Sequence, residues 1–454
     1  MGSSMQVPIK VLMLPWLAHG HISPYLELAK RLSTRNFHIY LCSSPVSLSS
    51  IKPKISEKYS SSIELVELHL PSLPDLPPHY HTTNGLPPHL MNTLKVAFDM
   101  ASPGFSDIVK SLGPDLLIYD FLLPWAAEAA KSHGLPSIVF FNVGAGTVSF
   151  ILHVMKNTGS KFPFEAIRLQ DYAQAKLIEG IDESAGRMNN KDRVLRSVER
   201  SSNFILLKTI RELDGMYMDY LSSLSGKIAV SVGPLVEDPS NIEDGDGIIE
   251  WLDKREKSST IFVSFGSEYF LTEKEREEIA HGLELSNVNF IWVIRFPIGE
   301  STELEEALPE GFLERVRDRG LVMDGWAPQR KILEHPSIGG FASHCGWGSI
   351  MESMKSGVPI IAMPMQLDQP LNARMVEVFG VGLEVKKNKG GEIERWKIAK
   401  VIKDMVVEKD GDSVRKKAKE MSDIIRNKGE EELHEVAGAL VELCVGYKEQ
   451  HVSK

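Results

Sequence analysis

The chain contains few cysteines and no long apolar run. Only three cysteines occur in 454 residues, Cys42, Cys345 and Cys444, and none forms a C-x-x-C pair. This number is too small for a disulfide framework or a structural zinc site and is typical of a reducing compartment. No apolar run approaches the roughly 20 residues that a membrane-spanning helix needs, and the early stretch VLMLPWLA predicts a β-strand rather than a signal peptide. We therefore expect a cytoplasmic protein without a membrane span.

Positive charge is also scarce. The chain has 51 Lys and Arg against 61 Asp and Glu, a net charge of −10, and its basic residues occur only in short clusters such as Lys386-Lys387. Binding of nucleic acid through neutralisation of phosphates is therefore not expected. Hydrophobic residues make up 43% and charged residues 25% of the chain, which is ordinary for a globular protein.

The length of 454 residues is too great for one hydrophobic core and predicts two domains of about 200 residues each, large enough for an enzyme with a cleft between them. The stretch VEDPSNIEDGDG, rich in Pro, Gly and acidic residues, is the best linker candidate. We place the first domain at 1–235, the linker at 236–247 and the second domain at 248–430. The remaining residues, 431–454, predict a helix that returns to the first domain.

Both halves alternate apolar strands with amphipathic helices, which indicates parallel sheets with helices on both faces. The first half begins with a strand at KVLMLPW and a helix from about residue 23 to residue 32. Residues 67–90, rich in Pro and His, predict a surface loop, and residues 153–201 predict a variable, partly helical insertion. Further strands are expected at FHIYLC, PDLLIYD, SIVFFN, NFILLKT, IAVSVGPL, TIFVSFGS, NFIWVI, GLVMDGW and GVGLEV, and helices at 91–100, PWAAEAAKSHG, 273–285, 394–409 and 431–447.

The stretch from Trp326 to Gln369 predicts a nucleotide site. Within it, IGGFASHCGWGSIMESMKSGVPIIAMP predicts a strand, a Gly-rich turn, a helix that begins near Ser349 and a second strand. The first turn of a helix offers unpaired N–H groups and the positive end of the helix dipole, so a phosphate can bind there without a basic cluster. Glu352, one turn into the helix, is placed to accept hydrogen bonds from a ribose, and Trp326 offers a flat face to a base.

This stretch resembles the signature box of the plant family 1 UDP-sugar glycosyltransferases. PWLAHGH, PDLLIYD, FVSFGS and the closing Asp-Gln pair also stand where that family has its characteristic segments, so the likeness covers nearly the whole chain. The resemblance implies an α/β protein of the GT-B type, with two Rossmann-like domains facing across a cleft. It also implies transfer of a sugar from a UDP-sugar with inversion, without a metal or another cofactor.

The resemblance assigns roles to the donor-binding residues. A closing Gln resembles the glucose-using members, so UDP-glucose is the expected donor. Two departures affect this expectation: Gly348 stands where the family commonly has Asn, which leaves only a backbone N–H for the phosphate, and Gln366 stands where it usually has Trp. The implied contacts are uracil for Trp326 and the backbone of Ala327, ribose for Gln329 and Glu352, the diphosphate for His344, Gly348, Ser349 and Ser267, and the sugar for Asp368, Gln369 and Asn142.

The reaction needs a base that makes an acceptor hydroxyl nucleophilic near neutral pH, and histidine has a suitable pKa. His21, after the first strand, matches the family's base. Asp120, at the end of another strand, would accept the proton of the other ring nitrogen and stabilise the imidazolium, as in catalytic triads. His19 remains an alternative base, and Asp120 could instead cap the helix that follows it.

Other site residues also have structural alternatives. Composition alone would suggest a metal cluster at His79, His81 and His89, but these histidines lack carboxylate or Cys companions at ligand spacing, so no metal site is expected. The alternatives are a core aromatic for Trp326 or Trp347, where packing is favoured for Trp347, a buried structural histidine for His344, a solvated helix residue for Glu352 and a loop cap for Asp368.

The acceptor pocket is expected near Phe121, Trp125, Phe141 and His89. WLAHGHISPYLELAK and GLPPHLM, with the CGWGS variant, resemble the branch that extends sugar chains on glycosylated natural products, including triterpenoid, flavonoid and lignan glycosides. Among them are enzymes that branch glucose chains on cucurbitane glycosides. The expected protein is a monomer that transfers glucose to a sugar of such an acceptor. Direct glucosylation of an aglycone stays open, as do two other classes, a UDP-sugar epimerase and a silent nucleotide-sugar binding protein.

Overall fold

The chain is described by a computed structural model that covers residues 7–157, 159–238, 247–297 and 302–452. Most of the predicted linker, residues 239–246, lies outside the described residues. The rest forms two compact units, each with its own sheet and core. The described residues of the first unit fall within 7–161, 180–235 and 428–452, and those of the second fall within 162–179 and 236–427.

A parallel sheet forms the centre of the first unit. Its strands and a small antiparallel hairpin, β6 with β7, are β1 (Ile9–Leu14), β2 (Phe37–Ser43), β3 (Ile63–Glu67), β4 (Leu116–Asp120), β5 (Ser137–Phe141), β6 (Ser184–Ala185), β7 (Met188–Asn189), β8 (Phe204–Leu207) and β9 (Ile228–Ser231). In the described residues the sheet has the order β3-β2-β1-β4-β5-β8-β9. Every residue of β4 and β5 is buried, as expected of central parallel strands covered on both faces.

Helices connect these strands. They are α1 (His19–Ser33), α2 (Pro45–Ile51), α3 (Glu57–Ser60), α4 (Met91–Met100), α5 (Ser102–Leu112), α6 (Pro124–Ser132), α7 (Ala145–Lys156), α8 (Asp171–Asp182), α9 (Asn190–Arg200) and α10 (Arg211–Ser225). The predicted insertion at 153–201 contains the end of α7, all of α8, the hairpin and nearly all of α9. Most of α8, up to Glu179, groups with the second unit.

Helix α1 begins at His19, several residues before the predicted start. Ser23-Pro24 is typical of a helix beginning, because Ser is a favoured N-cap and Pro is tolerated in the first turn. Here Pro24 lies inside the helix, where its missing N–H leaves the carbonyl of Gly20 without the usual helical donor. The side chain of Asn142 donates to that carbonyl at 2.8 Å instead. A partner distant in sequence therefore extends the helix by one turn, and His21 lies within that turn.

The second unit has a parallel sheet of the same kind. Its strands are β10 (Thr260–Ser264), β11 (Asn289–Ile294), β12 (Gly320–Asp324), β13 (Ile338–Ser343), β14 (Ile360–Ala362) and β15 (Gly382–Glu384). Their order in the described residues is β12-β11-β10-β13-β14-β15. The helices are α11 (Ile248–Asp253), α12 (Glu273–Ser286), α13 (Leu304–Ala307), α14 (Phe312–Val316), α15 (Gln329–Glu334), α16 (Trp347–Ser356), α17 (Gln369–Val378) and α18 (Arg395–Val406). Two doubly wound parallel sheets confirm the predicted fold class.

The chain ends in a long helix, α19 (Asp412–Val452), of which the sequence pattern predicted only the part at 431–447. Leu433, Val436, Leu440 and Cys444 of this helix belong to the hydrophobic core of the first unit, where they share a cluster with residues of β1 and α1. In the described part of the chain, no helix is both long and apolar enough to cross a membrane.

Candidate active site

The predicted acceptor-side residues lie at the carboxyl edge of the first sheet. Strands β1, β4 and β5 are adjacent and parallel, so the segments that follow them meet at one edge. His21 lies in the first turn of α1 after β1, Asp120 ends β4, and Asn142 directly follows β5. The carboxyl ends of parallel strands are where doubly wound folds bind ligands.

The structure brings His21 and Asp120 into direct contact. Nδ1 of His21 lies 2.7 Å from Oδ2 of Asp120, and the other carboxylate oxygen accepts from the backbone N–H of Leu122 at 3.1 Å. The Asp120 side chain is fully buried, whereas 19% of the His21 side chain is exposed. Because a carboxylate holds the proton of Nδ1, the neutral ring carries its lone pair on Nε2, which is the arrangement that a general base requires.

The alternatives for this pair differ in geometry. His19 precedes His21 by two residues in the same helix, where successive residues turn by about 100°, so the two side chains point to nearly opposite sides. It is the ring of His21 that contacts Asp120. The residue at the N-cap of α6 is Leu123, and no side chain makes a hydrogen bond as the cap of that helix. Asp120 instead accepts from Leu122 within the turn before α6.

Two of the four predicted acceptor residues lie close to His21. The rings of Phe121 and Phe141 stack with centroids 4.8 Å apart and nearly parallel planes, and Phe121 lies 5.7 Å from the imidazole of His21. An apolar surface beside an imidazole suits the flat or aliphatic body of a natural product. These two residues therefore form the described apolar wall next to the candidate base.

Trp125 is a core residue, contrary to its predicted place in the acceptor pocket. Only 8% of it is exposed, and its ring makes edge contacts with Phe98 and Phe105 at centroid distances of 5.5 Å. The sequence places it one residue into α6 after the strand edge, but the side chain turns inward between α4, α5 and α6. The packing of three aromatic rings stabilises this position.

His89 is exposed on a short 3-10 turn, Pro88–Leu90, which is separate from the contacts made by His21 and Phe121. The loop that contains it is held to the unit more firmly than its composition suggested. Leu76 and His81 are buried, the hydroxyl of Ser44 donates to the carbonyl of His81 at 2.6 Å, and burial lowers the pKa of the His81 imidazole. Residues 67–90 therefore form an anchored segment rather than a loose loop.

Asn142 joins the first-unit site through its own hydrogen bond to Gly20. Its Nδ2 donates to the Gly20 carbonyl, one residue before His21, while its Oδ1 is buried and has no hydrogen-bond partner among the described residues. A buried amide oxygen without a donor is costly, and a hydroxyl of a bound ligand would satisfy it. The position is thus compatible with the sugar contact that the sequence resemblance implied.

The second unit presents the predicted phosphate site at the start of α16. The N-cap residue is Gly346, with no side-chain cap, so the first-turn N–H groups at Trp347, Gly348 and Ser349 are available to an anion by the geometry of a helix N-terminus. The helix begins two residues earlier than predicted from Ser349. Trp347 is buried and contacts Phe379, as the packing alternative expected.

His344 lies in the loop immediately before this helix and is packed between two glycines. A Cβ on Gly266, whose φ is +78°, would come within 2.7 Å of the imidazole, and one on Gly346 would come within 2.6 Å. Burial lowers the pKa of His344 to about 4, an effect that its hydrogen bond with the backbone of Ser264 opposes. At neutral pH the ring is therefore uncharged and would contact a phosphate as an N–H donor. Ser267 follows β10, the strand adjacent to β13.

The predicted base-binding residue, Trp326, is 61% exposed, and the neighbouring Ala327 is buried. Gly325, with φ of +82°, permits the turn that ends β12 and presents the indole. The guanidinium of Arg295, at the end of β11, lies 5.6 Å from the centre of the Trp326 ring, within the range of a cation–π contact. The sequence reasoning did not single out Arg295, because no local motif marks a residue that lies on a neighbouring strand.

The predicted ribose ligands are in contact with each other. Nε2 of Gln329 donates to Oε2 of Glu352 at 2.8 Å and lies 3.2 Å from the hydroxyl of Ser349. Gln329 opens α15 and the other two residues lie in the first turns of α16. The carboxylate of Glu352 is therefore oriented by a neutral amide and retains acceptor capacity for diol hydroxyls.

The two residues that close the stretch have internal partners. Oε1 of Gln369 accepts from the backbone N–H groups of Met365 and Gln366, both at 2.9 Å, so its Nε2 is the group left to donate to a sugar. Oδ2 of Asp368 accepts from the side chain of Asn372 at 2.7 Å. Asn372 was not among the predicted site residues because it lies beyond the closing Gln.

No metal centre is found in the part of the chain that the structure describes. Within those residues, no group of three or more His, Cys, Asp or Glu side chains could hold a metal ion. The three cysteines are buried free thiols.

Two doubly wound parallel sheets, one with a His-Asp pair and one with an anion site at a helix start, define an α/β enzyme of the GT-B class. Residues 7–237 match the family model described as the N-terminal domain of a glycosyltransferase, and residues 248–433 match that of the UDP-glucuronosyl and UDP-glucosyl transferases. The chain belongs to the plant family 1 UDP-glycosyltransferases, and it is a UDP-dependent glycosyltransferase.

Individual proteins support this assignment. The chain is 54% identical to a mogroside IIIx synthase of Siraitia grosvenorii, over 95% of this chain and 92% of the relative. It is 50% identical to the beta-D-glucosyl crocetin beta-1,6-glucosyltransferase of Gardenia jasminoides, over 95% and 98% of the two chains. Among solved structures it resembles a UDP-glucosyltransferase of Polygonum tinctorium with a TM-score of 0.78 and 29% identity, over 96% and 99% of the two chains.

Proposed function

We propose that this enzyme transfers glucose from UDP-glucose, with inversion, to a hydroxyl of a sugar already attached to a small natural product such as a triterpenoid, flavonoid or lignan glycoside. The observation that carries the proposed chemistry is the 2.7 Å contact between His21 and the fully buried Asp120. A silent binding protein has no need of a buried carboxylate that orients an imidazole, because burying the charge costs free energy unless it is used or paired.

In this mechanism Nε2 of His21 takes the proton of the acceptor hydroxyl while its oxygen attacks the anomeric carbon. The new C–O bond forms as the bond between that carbon and the phosphate oxygen breaks, and the electron pair leaves with UDP. Asp120 stays ionised and stabilises the imidazolium. A single displacement of this kind inverts the configuration, so an α-linked donor gives a β-linked sugar.

The departing UDP would be stabilised by fixed dipoles. The first-turn N–H groups of α16 and an N–H of the uncharged His344 would hold the diphosphate, and no basic cluster is needed for this. Glu352 and Gln329 would hold the ribose, and Trp326 would stack on uracil with Arg295 beside its ring. Nε2 of Gln369 and the carboxylate of Asp368 would bind the sugar hydroxyls.

The proposed acceptor rests on the relatives. The Gardenia enzyme, 50% identical to this chain, is named for an acceptor that already carries glucose. The mogroside IIIx synthase is similar over nearly the whole of both chains. The apolar wall of Phe121 and Phe141 beside His21 suits the body of such an acceptor. We further propose that the enzyme is a cytoplasmic monomer, in keeping with three buried free thiols.

The test is a paired acceptor assay. The purified protein is incubated with UDP-glucose and with triterpenoid, flavonoid and lignan aglycones, each beside its monoglucoside, and products are followed by mass spectrometry. We expect monoglucosides to gain hexose, and UDP-galactose, UDP-rhamnose and UDP-glucuronic acid to be poorer donors. Gain of hexose by aglycones alone would replace sugar-chain extension with direct glucosylation. Conversion of UDP-glucose to a C2 epimer without an acceptor would contradict the transfer step.

A further inference from the structure

Asn372 lies fully buried in the first turn of α17, four residues after Asp368. Its side-chain nitrogen, Nδ2, makes two hydrogen bonds, to Oδ2 of Asp368 at 2.7 Å and to the backbone carbonyl of Cys345 at 3.0 Å. A carboxamide nitrogen has two hydrogens, so these two bonds use its full donor capacity. One buried side chain thus connects a predicted sugar ligand to the loop that precedes the phosphate-binding helix.

The Cys345 end of this connection has an uncommon backbone. Cys345 has φ of +68°, in the left-handed region that a residue with a Cβ adopts only when its surroundings hold it there. Its N–H donates to the hydroxyl of Ser343 at 3.1 Å, and its carbonyl accepts from Asn372. The next residue, Gly346, is the N-cap of α16. The turn that fixes the direction of the first N–H groups of α16 is therefore held from both sides.

The Asp368 end concerns the donor sugar. A carboxylate can rotate about its bond to Cβ, and a hydrogen bond to one oxygen removes that freedom while leaving acceptor capacity for further hydrogen bonds. Asn372 provides this bond from one turn further along the same helix. Gln369 is fixed in a comparable way by the backbone of Met365 and Gln366, so both predicted sugar ligands are oriented from within the protein.

We propose that Asn372 is a positioning residue that fixes the Asp368 carboxylate and the Cys345 turn in one relation, so that the sugar and the diphosphate of the donor are held together. The inference rests on the proposed role of Asp368 as a ligand of the donor sugar. Asn372 does not touch the reacting atoms and acts through Asp368. Its loss should therefore weaken binding of the UDP-sugar more than binding of UDP, which has no sugar.

A double-mutant cycle tests this. KM for UDP-glucose and the inhibition constant of UDP are measured for wild type, Asn372→Ala, Asp368→Ala and the double variant. Because a hydrogen bond to a carboxylate is charge-assisted, Asn372→Ala should raise KM for UDP-glucose about 10-fold but the inhibition constant of UDP less than about 3-fold. In the Asp368→Ala background, Asn372→Ala should raise KM by no more than the factor seen for UDP.

Ser286→Ala is the matched control. It removes the buried hydrogen bond from the Ser286 hydroxyl to the carbonyl of Leu283 in the same unit, and it should leave the ratio of KM to the UDP inhibition constant unchanged. If Asn372→Ala does not fold, Asn372→Ser, which keeps one donor, replaces it, with an expected KM increase of about 3-fold and the same dependence on Asp368.

The inference is overturned if the increase in KM is equal in both backgrounds, if KM and the UDP constant rise together, or if KM does not change. These outcomes are distinct from failure of the proposed function. A wild-type enzyme that transfers nothing from UDP-glucose contradicts the proposed donor, and the same cycle is then run with the UDP-sugar that the enzyme does use. An active wild type with an indifferent Asn372 contradicts the positioning role alone.

Discussion

Asp120 shows how a single buried charge can be assigned a function. Its side chain is fully buried, and its two oxygens are used by different donors, the imidazole of His21 and the N–H of Leu122. A buried carboxylate is tolerated when such hydrogen bonds compensate for lost hydration. The bond to Leu122 fixes the orientation of the carboxylate, so the bond to His21 fixes the tautomer and plane of the ring.

Replacing Asp120 with Asn tests this orienting role. The amide can present its N–H to Nδ1 of His21, which would place the ring proton on Nε2 and block proton uptake there. We expect Asp120→Asn to lower kcat by about 10²-fold or more, but less than loss of His21 itself, with KM for UDP-glucose close to wild type. Steady-state kinetics measure both constants.

Asp107→Asn, an exposed change in α5, is the control for introducing an amide into the same unit. It should keep wild-type kcat. An Asp120→Asn enzyme within about 3-fold of wild type would show that the carboxylate has a structural role only, because general base catalysis contributes at least about 10²-fold.

At the residue scale, the sequence indicated which residues take part better than how their side chains are oriented. The His21 and Asp120 pairing was predictable because both follow strands that a parallel sheet makes adjacent. The inward turn of Trp125 and the inward-facing Oε1 of Gln369 were not predictable, since each depends on neighbours brought close by the fold. Arg295 and Asn372 were missed for the same reason.

Helix α7 is an element whose beginning is stabilised from elsewhere in the chain. It begins after Gly144, which has no side chain to cap it, and its first N–H, that of Ala145, donates at 2.8 Å to Asp214 of α10. The hydroxyl of Thr209 donates to the same oxygen at 2.7 Å. Burial nevertheless dominates and raises the pKa of Asp214 from its ordinary 3.8 to about 6. The ionised carboxylate is therefore a net cost to the folded state above that pH.

This predicts a specific pH dependence of stability. A carboxyl whose pKa is raised on folding contributes stability that is fully present below pH 3.8 and is lost as the pH rises through about 6. Relative to Asp214→Asn, whose side chain does not titrate, wild type should lose up to about 3 kcal/mol of unfolding free energy between pH 4 and pH 7. Denaturant unfolding of both proteins at several pH values measures the difference.

The amide may cost stability of its own, but that cost does not vary with pH, so only the difference in pH dependence matters. Asp219→Asn, on the exposed face of the same helix, is the matched control and should follow wild type closely. Parallel curves for wild type and Asp214→Asn would contradict the account of α7.

Helix boundaries were the least predictable part of the fold. The sequence pattern gave 431–447 for the final helix because Gly429 and the charged residues around it interrupt the apolar spacing. In the structure Gly429 lies inside α19, and a Cβ there would come within 2.7 Å of Pro234. The glycine permits a close approach of another segment and does not end the helix. For α1 the reverse holds, because Asn142 supports a turn that local signals alone would exclude.

At the scale of the whole molecule, the candidate chemistry is divided between the two units. The proposed base and its partner belong to the first unit, and the predicted nucleotide ligands from Trp326 onward belong to the second. Each set is placed by the carboxyl edge of its own sheet, and each unit has its own hydrophobic core. Length, alternation of elements and the Trp326 to Gln369 stretch were sufficient to predict this architecture from sequence.

This division implies that catalysis and nucleotide binding can be separated by mutation. His21→Ala removes the proton acceptor without altering any residue of the second unit, and the cavity it leaves is small. His19→Ala is the matched control, since it truncates a histidine two residues away on the other side of the same helix. The fold of each variant is checked by its melting temperature.

The most direct test is to measure transfer and UDP binding on the same His21→Ala preparation, by product formation from UDP-glucose and by calorimetric titration with UDP. The account predicts that transfer falls by at least about 10²-fold to 10⁴-fold, the range of general base catalysis, while the Kd of UDP stays within about 2-fold of wild type. His19→Ala should retain most of the activity. Retention of more than a few per cent of activity by His21→Ala would contradict the central claim that His21 is the base.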